Sequence, residues 1–257
     1  MGPAPTDAAF TDPAPMGRAS MTAARSGVRP LVLAVHGTRS AEGTATSQAL
    51  ATAVAERLDV ETHLGWVDIH TPTLTDTLRR LGEAIVVPVF LTSGYHVTSD
   101  IPAAIAAAGG RAMATPLVGA DVLPAVLDRL AAVGDYDAVV LGSAGSLRAR
   151  ALTQVRAVTS ALAAAVGRPA ATGYVTAASP TVPEAVAALR AAGHARVAIA
   201  SYLLAPGRFS VALERAGADA VSRPIGVHPL LIHLIEQRWR AADAQPLTAF
   251  QPKAVND

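Results

Sequence analysis

The sequence predicts an α/β protein built from two homologous halves, each with a four-stranded, mostly parallel sheet flanked by helices. From Arg29 onward, short apolar runs alternate with Ala-, Leu- and Arg-rich segments of helical length, a pattern typical of strand–helix units. The last four of these eight units repeat sequence features of the first four. The repeat favours two small domains over a single closed barrel of eight equivalent units.

Strands are assigned to the short apolar runs, and helices to the longer segments between them. The first run, LVLAV, is apolar throughout and is ended by His36. In chain order, strands are expected at about 31–35, 60–67, 84–90, 111–114, 137–141, 170–175, 196–203 and 219–222. Helices are expected at about 44–58, 73–81, 100–108, 121–132, 147–166, 181–192, 208–216 and 228–241.

The internal repeat is visible when each residue is compared with the residue 108 positions later. The matched pairs are Gly37 with Gly145, Gly65 with Gly173, Trp66 with Tyr174, Pro72 with Pro180 and Thr73 with Thr181. A constant offset over five matches is hard to obtain by chance. When small insertions are allowed, Gly94 also matches Gly207. We therefore place the junction between the two copies near Gly134.

This organisation divides the chain into four segments. Residues 1–28 are rich in Pro, Ala, Ser and Thr and contain no seven-residue apolar core, so we expect a disordered leader and not a secretory signal. Residues 29–134 form the predicted N-terminal domain, which carries the candidate site. Residues 135–243 form its C-terminal homologue, and residues 244–257 are expected to be a flexible tail.

Composition excludes several classes of function. A net charge of +1 and an aromatic content of 4% give no support for nucleic-acid binding. The chain has no Cys, so a bound metal would need His and carboxylate ligands. Its single lysine, Lys253, lies in the polar tail, which argues against P-loop or Schiff-base chemistry. No apolar run approaches the roughly 18–20 residues that cross a bilayer, so we expect a cytoplasmic protein without a membrane partner.

Three side chains able to bind a metal or carry a proton follow predicted strands of the first half. His36 comes directly after the first strand, Asp68 follows the second, and His96 follows the third. Ligands of open parallel sheets bind at the carboxyl ends of the strands. Two imidazoles and a carboxylate at that edge would form a site suited to Fe²⁺, Co²⁺, Ni²⁺ or Zn²⁺.

The repeat strengthens this interpretation. The positions that correspond to His36, Asp68 and His96 in the second half are occupied by Ala144, Thr176 and Phe209. The second copy keeps the repeated Gly and Pro residues but lacks all three reactive side chains. We therefore predict that the chemistry is confined to the first half.

Two arginines lie in loops next to these positions. Arg39 and Arg208 could each pair with a substrate carboxylate, because guanidinium binds carboxylates in a bidentate manner. Phe209, the residue after Arg208, is expected to be a wall residue that contacts the substrate. His70, next to Pro72, is interpreted as a solvated loop histidine.

The motifs VHGTR, VDIHTPTL and VVPVFLTSGYHVTSDIP, taken together, resemble the sirohydrochlorin chelatases, the anaerobic-type cobalto/ferrochelatases. The resemblance covers about Arg29 to Arg240. It implies two class II chelatase-like domains, with His36 and His96 binding metal and taking pyrrole protons, and with the family's acidic residue at Asp68. Members of the family often have Glu at that position.

The resemblance implies an enzyme of the lyase class that inserts a divalent metal into a sirohydrochlorin-type tetrapyrrole, in sirohaem or cobalamin biosynthesis. The metal, with Fe²⁺ slightly favoured over Co²⁺, would be a substrate, and no organic cofactor is expected. Insertion releases two pyrrole protons, and neutral imidazole can act as ligand or base at physiological pH. The carboxylate-rimmed macrocycle would lie between the halves of a monomer.

Two other functions remain open. A non-catalytic tetrapyrrole or metal carrier would use the same residues for binding without turnover. Histidine phosphatases also place His-Gly after their first strand, but they need an Arg immediately before that His, where this chain has Val35.

Overall fold

The chain folds into two α/β units with helices on both faces of each sheet, as described by a computed structural model for residues 28–246. The strands are β1 (Leu31–Val35), β2 (Thr62–Trp66), β3 (Ala84–Pro88), β4 (Ala112–Ala114), β5 (Ala138–Ser143), β6 (Ala170–Tyr174), β7 (Val197–Tyr202) and β8 (Ala220–Val221). The helices are α1 (Ala41–Leu58), α2 (Leu74–Leu81), α3 (Ile101–Ala107), α4 (Leu123–Ala131), α5 (Ala149–Val166), α6 (Val182–Ala191), α7 (Arg208–Glu214) and α8 (Pro229–Asp243).

Both sheets have the same topology. The first has the strand order β2-β1-β3-β4 and the second has the order β6-β5-β7-β8, and all neighbouring strands pair in parallel. The predicted fold class, two homologous α/β units with four-stranded sheets, is confirmed. The chain reverses its winding direction between β1 and β3, and between β5 and β7, which are the places where such sheets bind ligands.

Helix starts follow local capping. α1 begins at Ala41, earlier than expected, because the Ser40 hydroxyl accepts a hydrogen bond from the backbone N–H of Gly43 at 3.2 Å. α2 and α6 each begin with a capping box, formed by Thr73 with Asp76 and by Thr181 with Glu184. The repeat thus extends to the caps of equivalent helices.

The third helix lies close to its predicted range, but a π turn precedes it. We expected it to start near residue 100, but helical backbone begins at His96 with a single π turn, His96–Asp100, which continues into α3. The turn Thr92–Gly94 before it contains no apolar pattern that would mark this start. A π turn is rare and is often found at functional sites.

Side chains along each central strand point alternately to its two faces, and they divide the core into separate clusters. In β1, Leu31 and Leu33 face a cluster that both halves share, whereas Val32 and Ala34 face a cluster formed only by the first half. The same alternation occurs in β5, where Val139 belongs to the shared cluster. Because both faces of each central strand are covered, β1, β3, β5 and β7 are buried along their whole length, and their only polar side chains are those of Ser143, Ser201 and Tyr202.

The halves exchange their last helices. α8, from the second half, packs against α1 and β3 of the first, and α4, from the first half, packs against β7 of the second. The Arg29 guanidinium fixes the end of α8, with Nε 3.0 Å from the Asp243 carboxylate and Nη2 2.7 Å from the Ala242 carbonyl oxygen. The buried Glu236 of α8 also pairs with Arg57 of α1 at 3.1 Å. The two units therefore share one continuous core.

A close backbone contact recurs in both halves. A Cβ added to Gly37 would lie 2.0 Å from the carbonyl oxygen of Asp68, and one added to Gly145 would lie 1.8 Å from that of Thr176. Glycine is therefore required where the loop after the first strand of each half crosses the loop after the second. This contact explains why both glycines belong to the repeat.

None of the helices in residues 28–246 is long and apolar enough to cross a bilayer. The predicted leader (1–28) and tail (244–257) lie outside the described residues except for their inner ends, Val28 and residues 244–246.

We predict that Gly145→Ala lowers the free energy of unfolding by about 2–3 kcal/mol, since the new methyl group overlaps a carbonyl oxygen in addition to straining a positive φ of 93°. Gly193→Ala is the matched control: its φ is 96°, but no described atom lies within 4 Å of the added Cβ. Chemical denaturation should show a clearly smaller loss for Gly193→Ala. Equal losses would mean that backbone strain alone, and not the loop crossing, requires glycine.

Candidate active site

The three candidate site residues of the first half meet at the carboxyl edge of its sheet. His36 follows β1 and His96 follows the loop after β3, so the two flank the place where the winding direction changes. Asp68 follows β2, the neighbour of β1 on the other side. Adjacent parallel strands therefore bring together residues that lie up to 60 positions apart in the sequence.

Their ligand atoms are close enough to share one ion. One ligand atom from each of His36, Asp68 and His96 lies within 4.8 Å of the other two. A metal with bonds of about 2.1 Å needs tetrahedral ligand atoms about 3.4 Å apart, which small side-chain rotations would reach. The rings of His36 and His96 meet edge to face, with centroids 4.6 Å apart. The three candidate residues identified from the sequence are thus neighbours in space.

The Nδ1 atom of each imidazole is hydrogen-bonded to an oxygen of the protein. His36 Nδ1 lies 2.6 Å from the carbonyl oxygen of Gly37, and His96 Nδ1 lies 2.6 Å from the Asp100 carboxylate. Both acceptors favour the tautomer with the proton on Nδ1, which leaves Nε2 with a lone pair for a metal or a proton. Asp68 accepts the backbone N–H of Ile69 at 2.7 Å with one oxygen, and its second oxygen is a further candidate ligand.

Asp100 is a site residue that the sequence reasoning missed. It lies one π turn after His96, so the turn itself brings the carboxylate and imidazole together. Leu31 and Val139 are equivalent in the repeat, and they pair with Ile85 and Ala198, so Ile85 corresponds to Ala198. Counting on from these two residues, His96 corresponds to Phe209 and Asp100 to Leu213. The second half thus lacks this carboxylate as well. The spacing of His and Asp four residues apart before a helical segment could have identified the pair.

The site opens into a cleft of about 680 Å³ between the two halves. This volume lies in the range of small-molecule and cofactor sites. The lining is mostly apolar and includes the imidazoles of His36 and His96. Its walls include Leu50, Phe90, Leu91, Ala151, Val155, Leu203 and Leu204. The cleft is therefore shaped for a large, largely apolar ligand.

The predicted substrate-binding residues also line this cleft. Arg39 lies in the loop before α1, Arg208 begins α7, and both guanidinium groups belong to exposed residues. The Arg208 guanidinium carbon lies 5.5 Å from the centre of the Phe209 ring, which is half-buried. Apolar walls with cations at the rim would suit a flat ligand that has anionic groups at its edge.

The corresponding edge of the second half carries no titratable group at these positions. Ala144 and Phe209 line the cleft, and the Thr176 hydroxyl donates to the carbonyl oxygen of Ala144 at 3.2 Å. The loops have the same course as in the first half, as the Gly145 contact with Thr176 demonstrates. The fold is therefore repeated and the reactive groups are not.

The expectation for His70 was wrong. Its ring packs on Trp66 with centroids 4.8 Å apart, and its Nε2 contacts the carbonyl oxygen of Thr38. His70 is half-buried and links the loop after β2 to the loop after β1. No pattern in the sequence indicates this contact, since Thr38 lies on a different strand–loop unit.

The family model CbiX matches residues 30–128 and again residues 138–242. The chain belongs to the CbiX family. The two matched segments correspond to the two α/β halves, and the relationship expected from the sequence motifs is confirmed. No curated protein matches this CbiX-family chain significantly by sequence.

Three solved structures share the fold. SirB from Bacillus subtilis with Fe³⁺ is 22% identical with a TM-score of 0.72, and covers 84% of this chain and 96% of its own. The sirohydrochlorin chelatase SirB from Bacillus subtilis subspecies spizizenii, in complex with cobalt, is 19% identical with a TM-score of 0.69. The match covers 85% of this chain and 97% of that SirB chain. CbiX, described as the terminal enzyme for biosynthesis of sirohaem in denitrifying bacteria, is 23% identical (TM-score 0.60; 83% and 99% covered).

We predict that Asp100→Ala weakens Co²⁺ binding by about 10- to 100-fold, because His96 loses the group that fixes its ring and tautomer. Asp100→Asn keeps an acceptor oxygen at the same place and should weaken binding less. Titration calorimetry with Co²⁺ measures both. Unchanged affinity in Asp100→Ala would show that His96 is held without this carboxylate or does not bind the ion.

Proposed function

We propose that this protein is a sirohydrochlorin chelatase, a lyase that inserts a divalent metal ion into a sirohydrochlorin-type tetrapyrrole. The observation that carries the proposal is the convergence of two imidazoles and a carboxylate, with both imidazoles lining a cleft of about 680 Å³. Membership of the CbiX family supports it.

The geometry supports the following division of roles. The macrocycle lies in the cleft, with its apolar faces against walls that include Phe209 and its carboxylates near Arg39 and Arg208. The metal ion is bound by His36, His96 and Asp68, whose ligand atoms replace water molecules coordinated to it. As the ion passes from the imidazoles to the ring nitrogens, two pyrrole N–H bonds break, and Nε2 of His36 and of His96, each released from the metal, accepts one proton. The ion remains divalent, so no electron donor or acceptor is needed.

The donor set suits both iron and cobalt. Imidazole nitrogen and carboxylate oxygen are ligands for Fe²⁺ and for Co²⁺ alike. Structurally similar proteins contain Fe³⁺ in one case and cobalt in another. We favour Fe²⁺, which would send the product to sirohaem, and place Co²⁺ and cobalamin second. Competition between the two ions for limiting sirohydrochlorin, under anaerobic conditions, measures the preference directly.

A non-catalytic carrier would bind the same ligands without turnover. Multiple turnovers per protein molecule, followed by the absorbance of the metallated product against the uncatalysed rate, support the chelatase. Product formation that stops at one equivalent would support the carrier.

We expect His96→Ala and His36→Ala each to lower the rate of metal insertion by about 10²-fold or more, the loss expected when a ligand or general base is removed. Tetrapyrrole binding, measured by quenching of Trp fluorescence or by absorbance, should change much less. Near wild-type turnover in both variants would exclude the first-half site.

We expect Phe209→Ala to raise the KM for sirohydrochlorin with a small effect on kcat, because it removes an apolar wall and no reactive group. Arg208→Ala should also raise the KM for sirohydrochlorin. The KM of this variant should depend less on ionic strength than the wild-type KM, since one charge contact with the substrate is lost. Loss of kcat in Phe209→Ala with turnover retained in His96→Ala would place the chemistry in the second half.

A further inference from the structure

The loop between β3 and His96 is anchored by the opposite half of the molecule. Gln154, on α5, accepts the backbone N–H of Ser93 at 2.8 Å and donates from its amide nitrogen to the Ser93 hydroxyl at 3.0 Å. Ser93 is buried and lies three residues before His96. Both polar atoms of the amide therefore bind a single residue of the loop.

A second anchor acts on the same loop. The Tyr202 hydroxyl, at the end of β7, lies 3.1 Å from the carbonyl oxygen of Leu91 and 3.1 Å from that of Gly119. Tyr202 is 1% exposed, and burial, followed by the nearby Asp121 carboxylate, raises the pKa of its hydroxyl. The group therefore stays protonated and donates to these carbonyl oxygens across the boundary between the halves.

Neither anchor has an equivalent in the reverse direction. The strand registers and the repeat equate Gln154 with Thr46 and Ser93 with Pro206, which has no backbone N–H. Tyr202 corresponds to Val89, which has no polar side-chain atom. Among the described residues, these two anchors therefore hold the loop that carries His96 and have no counterpart at the equivalent loop of the second half.

This loop also needs an anchor more than the other site loops do. The backbone next to His36 and at Asp68 is fixed within the first half by the close contact of Gly37 with the Asp68 carbonyl oxygen. By contrast, no described atom lies within 4 Å of a Cβ added to Gly94, two residues before His96. The turn at Gly94 is loosely packed on that side, and its position depends on Ser93 and Leu91.

We propose that Gln154 and Tyr202 are positioning residues that hold the Leu91–Ser93 turn, and through it the His96 imidazole, in the geometry needed for metal binding. This rests on the proposed function, because it assigns to the second half the role of fixing the first-half metal site. Gln154 is not among the residues that line the cleft, so it acts through the loop and not on the substrate. Displacements of about 1 Å at a reacting group can lower rates by about 10²-fold.

The main test is Gln154→Ala. We expect Co²⁺ affinity to fall about 10-fold and kcat for insertion to fall with it, while KM for sirohydrochlorin stays close to the wild-type value. Hydrogen exchange of the backbone N–H groups of residues 92–97 should become faster. Thr153→Ala, an exposed neighbour on the same helix, is the matched control and should leave affinity, kcat and exchange unchanged.

Gln154→Glu separates positioning from general loss of stability. Its carboxylate can accept both the N–H and the hydroxyl proton of Ser93, so Co²⁺ affinity should recover most of the loss. Tyr202→Phe, which keeps the ring and removes the hydroxyl, should reproduce the Gln154→Ala pattern, and it decides the question if Gln154→Ala does not fold. Wild-type Co²⁺ affinity and kcat in folded Gln154→Ala and in Tyr202→Phe would overturn the inference. Wild-type protein that neither binds Co²⁺ nor metallates sirohydrochlorin would instead refute the proposed function.

Discussion

The crossing of two loops at a glycine is the contact on which the rest of this structure depends. Where Gly37 touches the Asp68 carbonyl oxygen, the loop after β1 and the loop after β2 lie in van der Waals contact with no side chain between them. His36 is the residue before that glycine, and Asp68 contributes the carbonyl group, so the same contact brings an imidazole and a carboxylate to one point. The crossing recurs at Gly145 and Thr176, where neither neighbour is reactive. It is therefore a property of the α/β unit, and in one half it lies beside the candidate metal site.

The two halves contribute differently to that site. The first provides His36, Asp68, His96 and Asp100, each presented by a loop or turn at the carboxyl edge of its sheet. The second keeps the glycines, caps and strand register and presents an apolar wall. The exchange of α4 and α8 and the shared core fix the two units relative to each other, so that a wall on one half can face reactive groups on the other. Under the proposed function, the second half provides the wall and the supporting contacts, and the first half provides the reactive groups.

Sequence patterns were reliable where the physical signal is local. Apolar runs and capping residues define strands and helices through neighbours a few positions away, so the eight strands and the order of the helices could be predicted. The constant offset of the repeat identified two units, and the loss of three reactive side chains from one copy identified the candidate site. The π turn at His96 could not be predicted, because its residues fit an ordinary helix or a loop equally well. His70 was misinterpreted because its partner, Thr38, belongs to another strand–loop unit.

By itself, then, the sequence determined the fold class, the repeat and the identity of the residues His36, Asp68 and His96, because each depends on periodicity, on spacing or on residue type. Only the tertiary structure decided that these residues lie within 4.8 Å of one another, that Asp100 orients His96, and that Gln154 and Tyr202 reach across to the His96 loop. Those contacts join strands, loops and helices as far as 111 residues apart. They are decided by the order of strands in each sheet and by the helices through which the two halves pack, and no local pattern in the chain records either.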